Sequence, residues 1–349
     1  AILGHRHRHS ADRLASFRAG GRHEIDPSMQ LRQLKYVLEV YRRGNHISAA
    51  ADALNTSQPG ISKQIRQLEL ELGFDIFERT RNRIVGATAA GLELIENAER
   101  IFREIDDIQK ISDDYNEEKG GRLTIATTHT FARYVLPNVI REFLARQPNV
   151  RIGLLQGNPT EVSEYVQAGS ADLGVSTEPQ KSFLGLVRLP ILSIKRSVIA
   201  PKDHPIAKLE KITLQELAKH PLIGHDHFRS GGWAIMDAFA KEGIKPLVPF
   251  AGVDSDVGKT YVNIGLGIAI TASIAFDPER DKNLVARDVS HLFPSSTAYV
   301  SFRKSSYLRK IEVDFMLKLS PELTRQRIRA SREETVHSRA DPAGGDDRS

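Results

Sequence analysis

Residues 48–73 read SAAADALNTSQPGISKQIRQLELELG, and this stretch decides the fold of the N-terminal part of the chain. An alanine-rich segment, for which Ser48 is the expected cap, precedes a turn at 55–57. Pro59 then stands in the first turn of a second helix, where its missing N–H costs no hydrogen bond. The apolar positions of this helix lie on one face and are Ile61, Ile65, Leu68 and Leu72. Two short helices joined by a tight turn predict a helix-turn-helix.

The flanking residues predict a first helix and a small β-wing. Apolar residues mark one face of a helix that begins near Met29, and residues 74–85 contain Phe77 and three arginines. Between residues 29 and 83 there are nine Lys and Arg against six Asp and Glu, whereas residues 84–114 have three against eight. The positive charge therefore lies on the helix-turn-helix and wing, as contact with nucleic-acid phosphates requires.

The helix that begins near Gln58 carries side chains suited to reading DNA bases. Glutamine pairs with adenine, lysine with guanine, and a proline ring can contact a thymine methyl group. On the wing, Arg81 is expected in the minor groove and Arg79 or Arg83 at phosphates. The alternative is an ordinary solvated helical face. The predicted DNA-binding residues are Ser57, Gln58, Pro59, Ser62, Lys63, Arg66, Arg79 and Arg81.

Length and composition limit the class of protein. A chain of 349 residues predicts two or three domains, and 40% hydrophobic with 27% charged residues is typical of packed globular domains. The absence of cysteine excludes disulfides and thiol chemistry. The longest apolar stretch is too short to cross a bilayer, and the His/Arg-rich start lacks the apolar segment of a secretory signal. We therefore expect a cytoplasmic protein with a net charge of +5.

The pattern along the chain predicts five segments. These are a disordered extension or tag over 1–28, a winged helix-turn-helix DNA-binding domain over 29–87, a linker and dimerisation helix over 88–116, an effector-binding domain over 117–324 and a flexible tail over 325–349. Thr88 is the expected cap of the linker helix. Its heptad seam, which favours a dimer over a helix packed on its own domain, is formed by Leu94, Ala98, Ile101, Ile105, Ile108 and Ser112.

Strand-like and helix-like segments alternate beyond residue 121. The alternation predicts two α/β lobes on mainly parallel sheets, with lobe I over about 122–190 and 295–324 and lobe II over about 191–294. Ligands bind such sheets outside the carboxyl ends of their strands.

The sequence Thr-Thr-His-Thr at 127–130 is placed where a strand turns into a helix. Backbone N–H groups and the positive end of the helix dipole would meet there, and the hydroxyls would add uncharged donors for a small anion. Threonines that only cap the helix are the alternative. Further hydroxyl donors could come from Ser176 and Thr177 after the next buried strand and from Ser230 across the cleft.

Residues 49–54 (AAADAL), 56–69 (TSQPGISKQIRQLE), 71–73 (ELG) and 77–79 (FER) resemble the N-terminal domain of LysR-type transcriptional regulators. The resemblance implies an N-terminal all-α winged helix-turn-helix plus a linker helix that forms a dimer. It also implies a C-terminal α/β effector domain of two Rossmann-like subdomains, similar to periplasmic binding proteins. The implied partners are double-stranded promoter DNA, further copies of the chain in a dimer or tetramer, RNA polymerase and a small-molecule inducer.

The effector domain resembles the CysB/Cbl-like branch of that family, the regulators of sulfur assimilation. The matching segments are 125–130 (IATTHT), 132–134 (ARY), 136–140 (LPNVI), 156–160 (QGNPT), 259–262 (KTYV) and 265–267 (GLG). The resemblance implies effector-binding hydroxyls at Thr128, Thr130, Thr177 and Ser230. Phe131 departs from the pattern, which has glutamine there, and the loss of this donor leaves open whether the effector is sulfate or an organic compound.

This branch implies an activator of genes for sulfate or sulfonate assimilation and cysteine biosynthesis. The expected effector is a small anion such as sulfate, adenylyl sulfate, a sulfonate or an acetylserine, with no cofactor, metal or catalytic residue. A LysR-type regulator of another pathway with an organic anion as inducer is the alternative. An enzyme that uses Gly265 and Gly267 in a nucleotide loop lacks the rest of the fingerprint. A solute-binding protein would need an export signal and would not carry the 58–63 motif.

Overall fold

The computed structural model describes residues 29–81, 83–115, 121–225, 232–252 and 254–337. The chain separates into two compact units, Ala1–Ile105 and Asp106–Ser349. Within the described ranges, no helix is both long enough and apolar enough to cross a membrane. The extension predicted over 1–28 and the end of the predicted tail, 338–349, lie outside the described residues.

The first unit has the predicted winged helix-turn-helix. Its elements are α1 (Leu31–Arg42), α2 (Ile47–Ala53), α3 (Gln58–Leu72), β1 (Phe77–Thr80), β2 (Arg83–Ala87) and the start of α4 (Ala89–Tyr115). Strands β1 and β2 pair as an antiparallel hairpin, which is the wing. Ile61, Ile65 and Leu68 of α3 are fully buried, and each such side chain contributes roughly 1.5–3 kcal/mol of hydrophobic stabilisation.

The ends of these helices follow from local chemistry. The Gly60 N–H donates to Ser57 Oγ at 3.3 Å, so Ser57 caps α3, and Gly73 ends that helix with a left-handed φ of 77°. The cap predicted for α2 is wrong, because α2 begins at Ile47 and His46 takes the N-cap position without a side-chain hydrogen bond.

Helix α4 begins as predicted, with the Gly91 N–H donating to Thr88 Oγ1 at 2.9 Å. Its predicted seam is divided, because Ala98 is buried in the core of the helix-turn-helix and Leu94 packs against that core. The prediction that the seam forms a dimer contact instead of packing on its own domain is therefore wrong for the first part of the seam. Ile101 and Ile108 further along the helix are exposed.

The second unit contains two α/β lobes. Lobe I comprises β3 (Arg122–Thr127), α5 (His129–Tyr134), α6 (Leu136–Arg146), β4 (Arg151–Gln156), α7 (Pro159–Ala168), β5 (Leu173–Thr177), β6 (Leu186–Ile194), β12 (Ser296–Arg303), α11 (Lys310–Leu319) and α12 (Arg325–His337). Lobe II comprises β7 (Arg196–Pro201), α8 (Leu214–Ala218), β8 (Leu222–His225), α9 (Gly232–Lys241), β9 (Phe250–Gly252), α10 (Ser255–Asn263), β10 (Ile268–Ala272) and β11 (Leu284–Asp288).

Each lobe is built on a five-stranded mixed sheet. The strand order is β4-β3-β5-β12-β6 in lobe I and β11-β7-β10-β8-β9 in lobe II. The predicted mainly parallel arrangement is wrong, because β12 in lobe I and β7 in lobe II pair antiparallel with both of their neighbours. These two strands are the first that the chain enters after each crossing between the lobes. Strand β6 also continues to Ile194, so lobe II begins four residues later than the predicted 191.

The tail predicted from residue 325 is wrong over its first half. Residues Arg325–His337 form helix α12, whose Ile328 is fully buried in the lobe I core. The apolar signal is a single isoleucine among charged residues, so the periodicity of this segment is too weak to predict a packed helix.

Candidate functional site

The N-terminal end of α3 presents the predicted base-reading side chains. Gln58, Pro59, Lys63 and Arg66 are exposed, Ser62 is half-buried, and the opposite face of the helix is in the core. Ser57 is exposed as well, but its hydroxyl is used to cap the helix. A short run of polar and cationic side chains at the start of a helix whose other face is buried matches the recognition helix of DNA-binding proteins.

The wing departs from its prediction at Arg79. Both carboxylate oxygens of the buried Glu69 accept from Arg79, at 3.0 and 2.8 Å, so this guanidinium fastens the wing to α3. Glu69 Oε1 also accepts the backbone N–H groups of Ile76 and Phe77. Arg79 is therefore a positioning residue in this geometry, and its contact with phosphate stays a prediction. Arg81 is exposed at the turn of the hairpin with a left-handed φ of 46°.

The predicted effector residues of the second unit lie on the lining of one cavity. Its volume is about 290 Å³, and both lobes contribute to its wall. Thr128 and Thr130 follow β3, and Thr177 ends β5, so the carboxyl ends of two neighbouring parallel strands meet here. Phe131 also lines the cavity, while Ser230 lies outside the described residues.

The hydroxyls in this region have two different roles. Thr127 Oγ1 donates to the Val175 carbonyl at 2.9 Å and Ser176 Oγ to the Thr177 carbonyl at 2.9 Å, so both serve the sheet. Thr128, by contrast, stands at the N-cap position of α5 without a side-chain hydrogen bond. The capping alternative is therefore wrong for Thr128.

The hydroxyls of Thr130 and Thr177 likewise make no hydrogen bond with any residue that the structure describes. Hydroxyls that line a cavity and have no intramolecular partner are suited to donate to a ligand. Helix α5 itself has only six residues, so its dipole contributes less than the sequence suggested.

Phe131 has a structural role that the sequence did not indicate. Its side chain is only 2% exposed and belongs to the lobe I core together with Phe143 and Phe315, whose rings meet edge to face at 5.2 Å. A residue that both lines the cavity and fills the core cannot be exchanged for a polar one without a cost in stability.

The sequence did not single out five polar residues that line the same cavity. These are Glu161, Arg196, Asp254, Ser255 and Ser296. Arg196 Nη2 donates to Ser296 Oγ at 2.8 Å, and burial lowers the pKa of the Arg196 guanidinium. No short sequence pattern could have found this pair, because the two residues are 100 positions apart.

A buried polar network links the helix that follows the threonine motif to lobe II. Lys259 Nζ donates to Tyr134 Oη at 2.6 Å, to the Ala275 carbonyl at 2.8 Å and to Asp281 Oδ2 at 2.8 Å. Tyr134 Oη in turn donates to Asp256 Oδ1 at 2.6 Å. Burial raises the pKa of Tyr134, with the Asp256 hydrogen bond acting in the same direction. Burial alone would lower the pKa of Lys259, but its hydrogen bonds to Asp281 and Tyr134 raise it on balance.

The structure also places four further residues of the sequence motifs. Arg133 is half-exposed, pairs with Asp256 at 3.2 Å and does not line the cavity. His129 is exposed on the cavity wall. The backbone of the 265–267 loop requires both of its glycines. A Cβ at Gly267 would lie 2.1 Å from the Pro221 carbonyl oxygen, and Gly265 has a left-handed φ of 83°.

The architecture is that of a winged helix-turn-helix combined with a two-lobed module that has a ligand-sized cavity. Two family models match the chain: the bacterial regulatory helix-turn-helix protein of the lysR family over residues 31–92 and the LysR substrate binding domain over residues 116–316. The chain therefore belongs to the LysR family of transcriptional regulators, as the sequence predicted.

Similar proteins cover between 60% and 88% of this chain. It is 42% identical over 300 residues to the HTH-type transcriptional regulator CysB of Burkholderia cenocepacia, covering 86% of this chain and 96% of that protein. The regulator SsuR of the same organism is 39% identical over 308 residues, covering 88% of this chain and 100% of that protein. A crystal structure of the cofactor-binding domain of the Cbl transcriptional regulator is similar, with a TM-score of 0.58 and 36% identity over 60% of this chain and 92% of that one.

Proposed function

We propose that this LysR-type regulator controls genes of sulfate or sulfonate assimilation and cysteine biosynthesis, mainly as an activator, in response to a small effector bound between its lobes. The observation that supports this most is the cavity lined by the hydroxyls of Thr128, Thr130 and Thr177, which have no hydrogen-bond partner among the described residues, in a chain that is about 40% identical to CysB and SsuR. The proposal gives no residue a catalytic role.

In this proposal α3 enters the major groove of promoter DNA. Gln58 and Lys63 read base edges, Arg66 contacts phosphates and Arg81 reaches the minor groove, because all four side chains are exposed. Arg79 takes no direct part and instead holds the wing in position.

The effector acts by changing the balance between two arrangements of the lobes. A ligand shifts such a balance only if it binds one arrangement more tightly than the other. The cavity is walled by both lobes, and the helix after the threonine motif is tied to lobe II through Tyr134 and Lys259. Lobe I in turn holds the last turns of α4, through Lys110 with Asp172 at 2.9 Å and Asp107 with Arg303 at 3.3 Å. A change of lobe arrangement is thereby passed to the linker helix.

The partner of α4 is a second copy of the chain. Among the exposed apolar residues of this helix are Ile101, Ile108 and Ile111, and apolar side chains at such spacing favour a two-helix contact. In the proposed function the chain binds the promoter as such a dimer, or as a tetramer of two dimers, and contacts RNA polymerase.

Selection of bound duplexes from a random pool, followed by fluorescence anisotropy, tests the DNA-binding part. The Lys63→Ala variant should lose preference for the selected site over random DNA, with a change of about 1–3 kcal/mol. The Lys35→Ala variant on the exposed face of α1 is the matched control. An unchanged ratio of specific to non-specific affinity in Lys63→Ala would refute the assignment of α3.

The double variant Thr128→Val and Thr130→Val tests the effector part. DNA binding should persist while sulfur compounds no longer change it, because valine keeps the shape and removes the donors. The Thr260→Val variant removes an exposed hydroxyl outside the cavity and should respond like the original protein. If the double variant responds normally, the threonines do not hold the effector.

A further inference from the structure

Arg196 occupies an unusual place in the cavity wall. It is the first residue of β7, immediately after the chain leaves lobe I at the end of β6, and Ser296 is the first residue of β12, where the chain has returned to lobe I. Their hydrogen bond of 2.8 Å therefore joins the two crossings between the lobes. A ligand that contacts Arg196 therefore lies next to the two segments that connect the lobes.

The charge of Arg196 is not balanced by the residues around it. Among the described residues no carboxylate lies within ion-pairing distance of its guanidinium, and Ser296 Oγ is a neutral partner. Arginine stays protonated in proteins, and a largely buried cation without a counter-ion is costly in free energy. The unoccupied hydrogen-bonding capacity of a guanidinium, which has five N–H donors, suits an anionic ligand group.

Two carboxylates also line the cavity, but helix ends use them. Glu161 Oε2 accepts the Asn158 N–H at 2.8 Å, and Asp254 Oδ1 accepts the N–H groups of Asp256 and Val257, both at 2.9 Å. Each therefore offsets the positive end of its own helix, α7 or α10. Arg196 remains the cation available to a ligand on the described part of the wall.

The size and the remaining lining of the cavity indicate more than an inorganic ion. Its volume of about 290 Å³ is close to the lower end of pockets for small organic molecules, which begin at roughly 300 Å³. Phe131, Ile194 and Ala272 give part of the wall an apolar character. An inorganic sulfate would leave this part without a partner, whereas a carbon-bearing body would cover it.

We propose that Arg196, held by Ser296, receives the negatively charged group of the effector and restricts the effector to small organic anions, sulfonates or carboxylates, whose carbon body lies against Phe131, Ile194 and Ala272. This inference rests on the proposed function, because it concerns the effector of the same cavity. Arg196 is thus a specificity-determining residue, and the threonine hydroxyls supply uncharged donors around the same ligand.

Calorimetry on the full chain tests the charge preference. The probes are ethanesulfonate, its uncharged counterpart ethanesulfonamide, inorganic sulfate and propionate. Ethanesulfonate or propionate should bind more tightly than both sulfate and the amide, and the stronger of the two identifies the head group. The Arg196→Gln variant should bind that anion about 10-fold or more weakly, while ethanesulfonamide binding stays unchanged. The Arg196→Lys variant should retain part of the affinity, and Arg151→Gln, an exposed arginine on β4, should behave like the original protein.

Three outcomes of this experiment would overturn the inference. They are failure of both organic anions to bind the original protein, tighter binding of sulfate or ethanesulfonamide than of either organic anion, and equal anion affinity in Arg196→Gln. DNA selection on the same samples separates these from a failure of the proposed function. If the protein selects no DNA site, the proposed function is wrong. If it selects a site but its anion affinity does not depend on the charge at residue 196, only this inference is wrong.

Thermal unfolding of the ligand-free protein tests the role of Arg196 in a second way. If Arg196 is kept for binding, the neutral Arg196→Gln variant relieves an unbalanced buried charge, and its unfolding midpoint should equal or exceed that of the original protein. If Arg196 only tethers Ser296, the midpoint should fall. A fall together with unchanged anion binding would overturn the inference.

Discussion

The attachment of the wing to the recognition helix can be tested by replacing Glu69 with glutamine. Glu69 is 6% exposed, and its carboxylate accepts four hydrogen bonds: from the backbone N–H groups of Ile76 and Phe77 at 2.9 and 3.2 Å, and from Arg79 at 3.0 and 2.8 Å. Glutamine keeps one carbonyl oxygen for the backbone but loses the two-pronged ion pair with Arg79.

The size of the effect follows from burial. Removing one partner of a fully buried ion pair costs about 3–5 kcal/mol. The Arg79 side chain is 23% exposed, so water can solvate part of its charge once the pair is broken. We therefore expect Glu69→Gln to lower the free energy of opening the wing by about 2 kcal/mol. This corresponds to a roughly 30-fold faster hydrogen exchange of the wing amides.

Hydrogen exchange with mass spectrometry is the appropriate assay for this region. Peptides that contain Ile76 and Phe77 should lose protection in Glu69→Gln, and the affinity for DNA of any sequence should decrease. Glu71→Gln, whose partner Gln67 is exposed on the same helix, is the control. Unchanged protection in Glu69→Gln, or an equal loss in Glu71→Gln, would refute this account of the wing.

Three further predictions concern substitutions at close contacts, in the lobe I core and in the hydrogen-bond network of Tyr134. Alanine at Gly91 would bring its Cβ to within 2.0 Å of a backbone carbonyl oxygen just before the wing, so Gly91→Ala should raise wing exchange and weaken DNA binding; normal exchange would contradict the contact. Phe131→Gln adds a hydrogen-bond donor and should raise the sulfate affinity measured by calorimetry. Burying its amide among apolar side chains should lower the free energy of unfolding by about 1–3 kcal/mol and with it the unfolding midpoint. An unchanged midpoint would show that the core tolerates the amide. Tyr134→Phe removes a hydroxyl that donates once and accepts once, so it should cost about 1–3 kcal/mol and lower the unfolding midpoint. Tyr299→Phe on lobe I, whose hydroxyl makes an exposed hydrogen bond, is the control, and equal midpoints of the two variants would argue against the network around Lys259.

Local chemistry made the helix-turn-helix predictable from sequence. Ser57 caps α3 by bonding an N–H three residues later, Pro59 fits its first turn, and Ile61, Ile65 and Leu68 recur at helical spacing. Each of these signals depends on residues within about one or two turns of a helix, so the sequence order carries it directly. The same holds for the placement of Thr128 and Thr130 at the end of a buried strand.

The tertiary structure decided the roles that depend on distant partners. Arg79 pairs with Glu69, ten positions away, and Arg196 meets Ser296 across 100 positions in a cavity that no local pattern indicates. The antiparallel course of β7 and β12 is likewise set by how the chain crosses between lobes. Composition and periodicity record which face of an element is buried, but the identity of the partner across that face is fixed only when long-range packing brings the elements together.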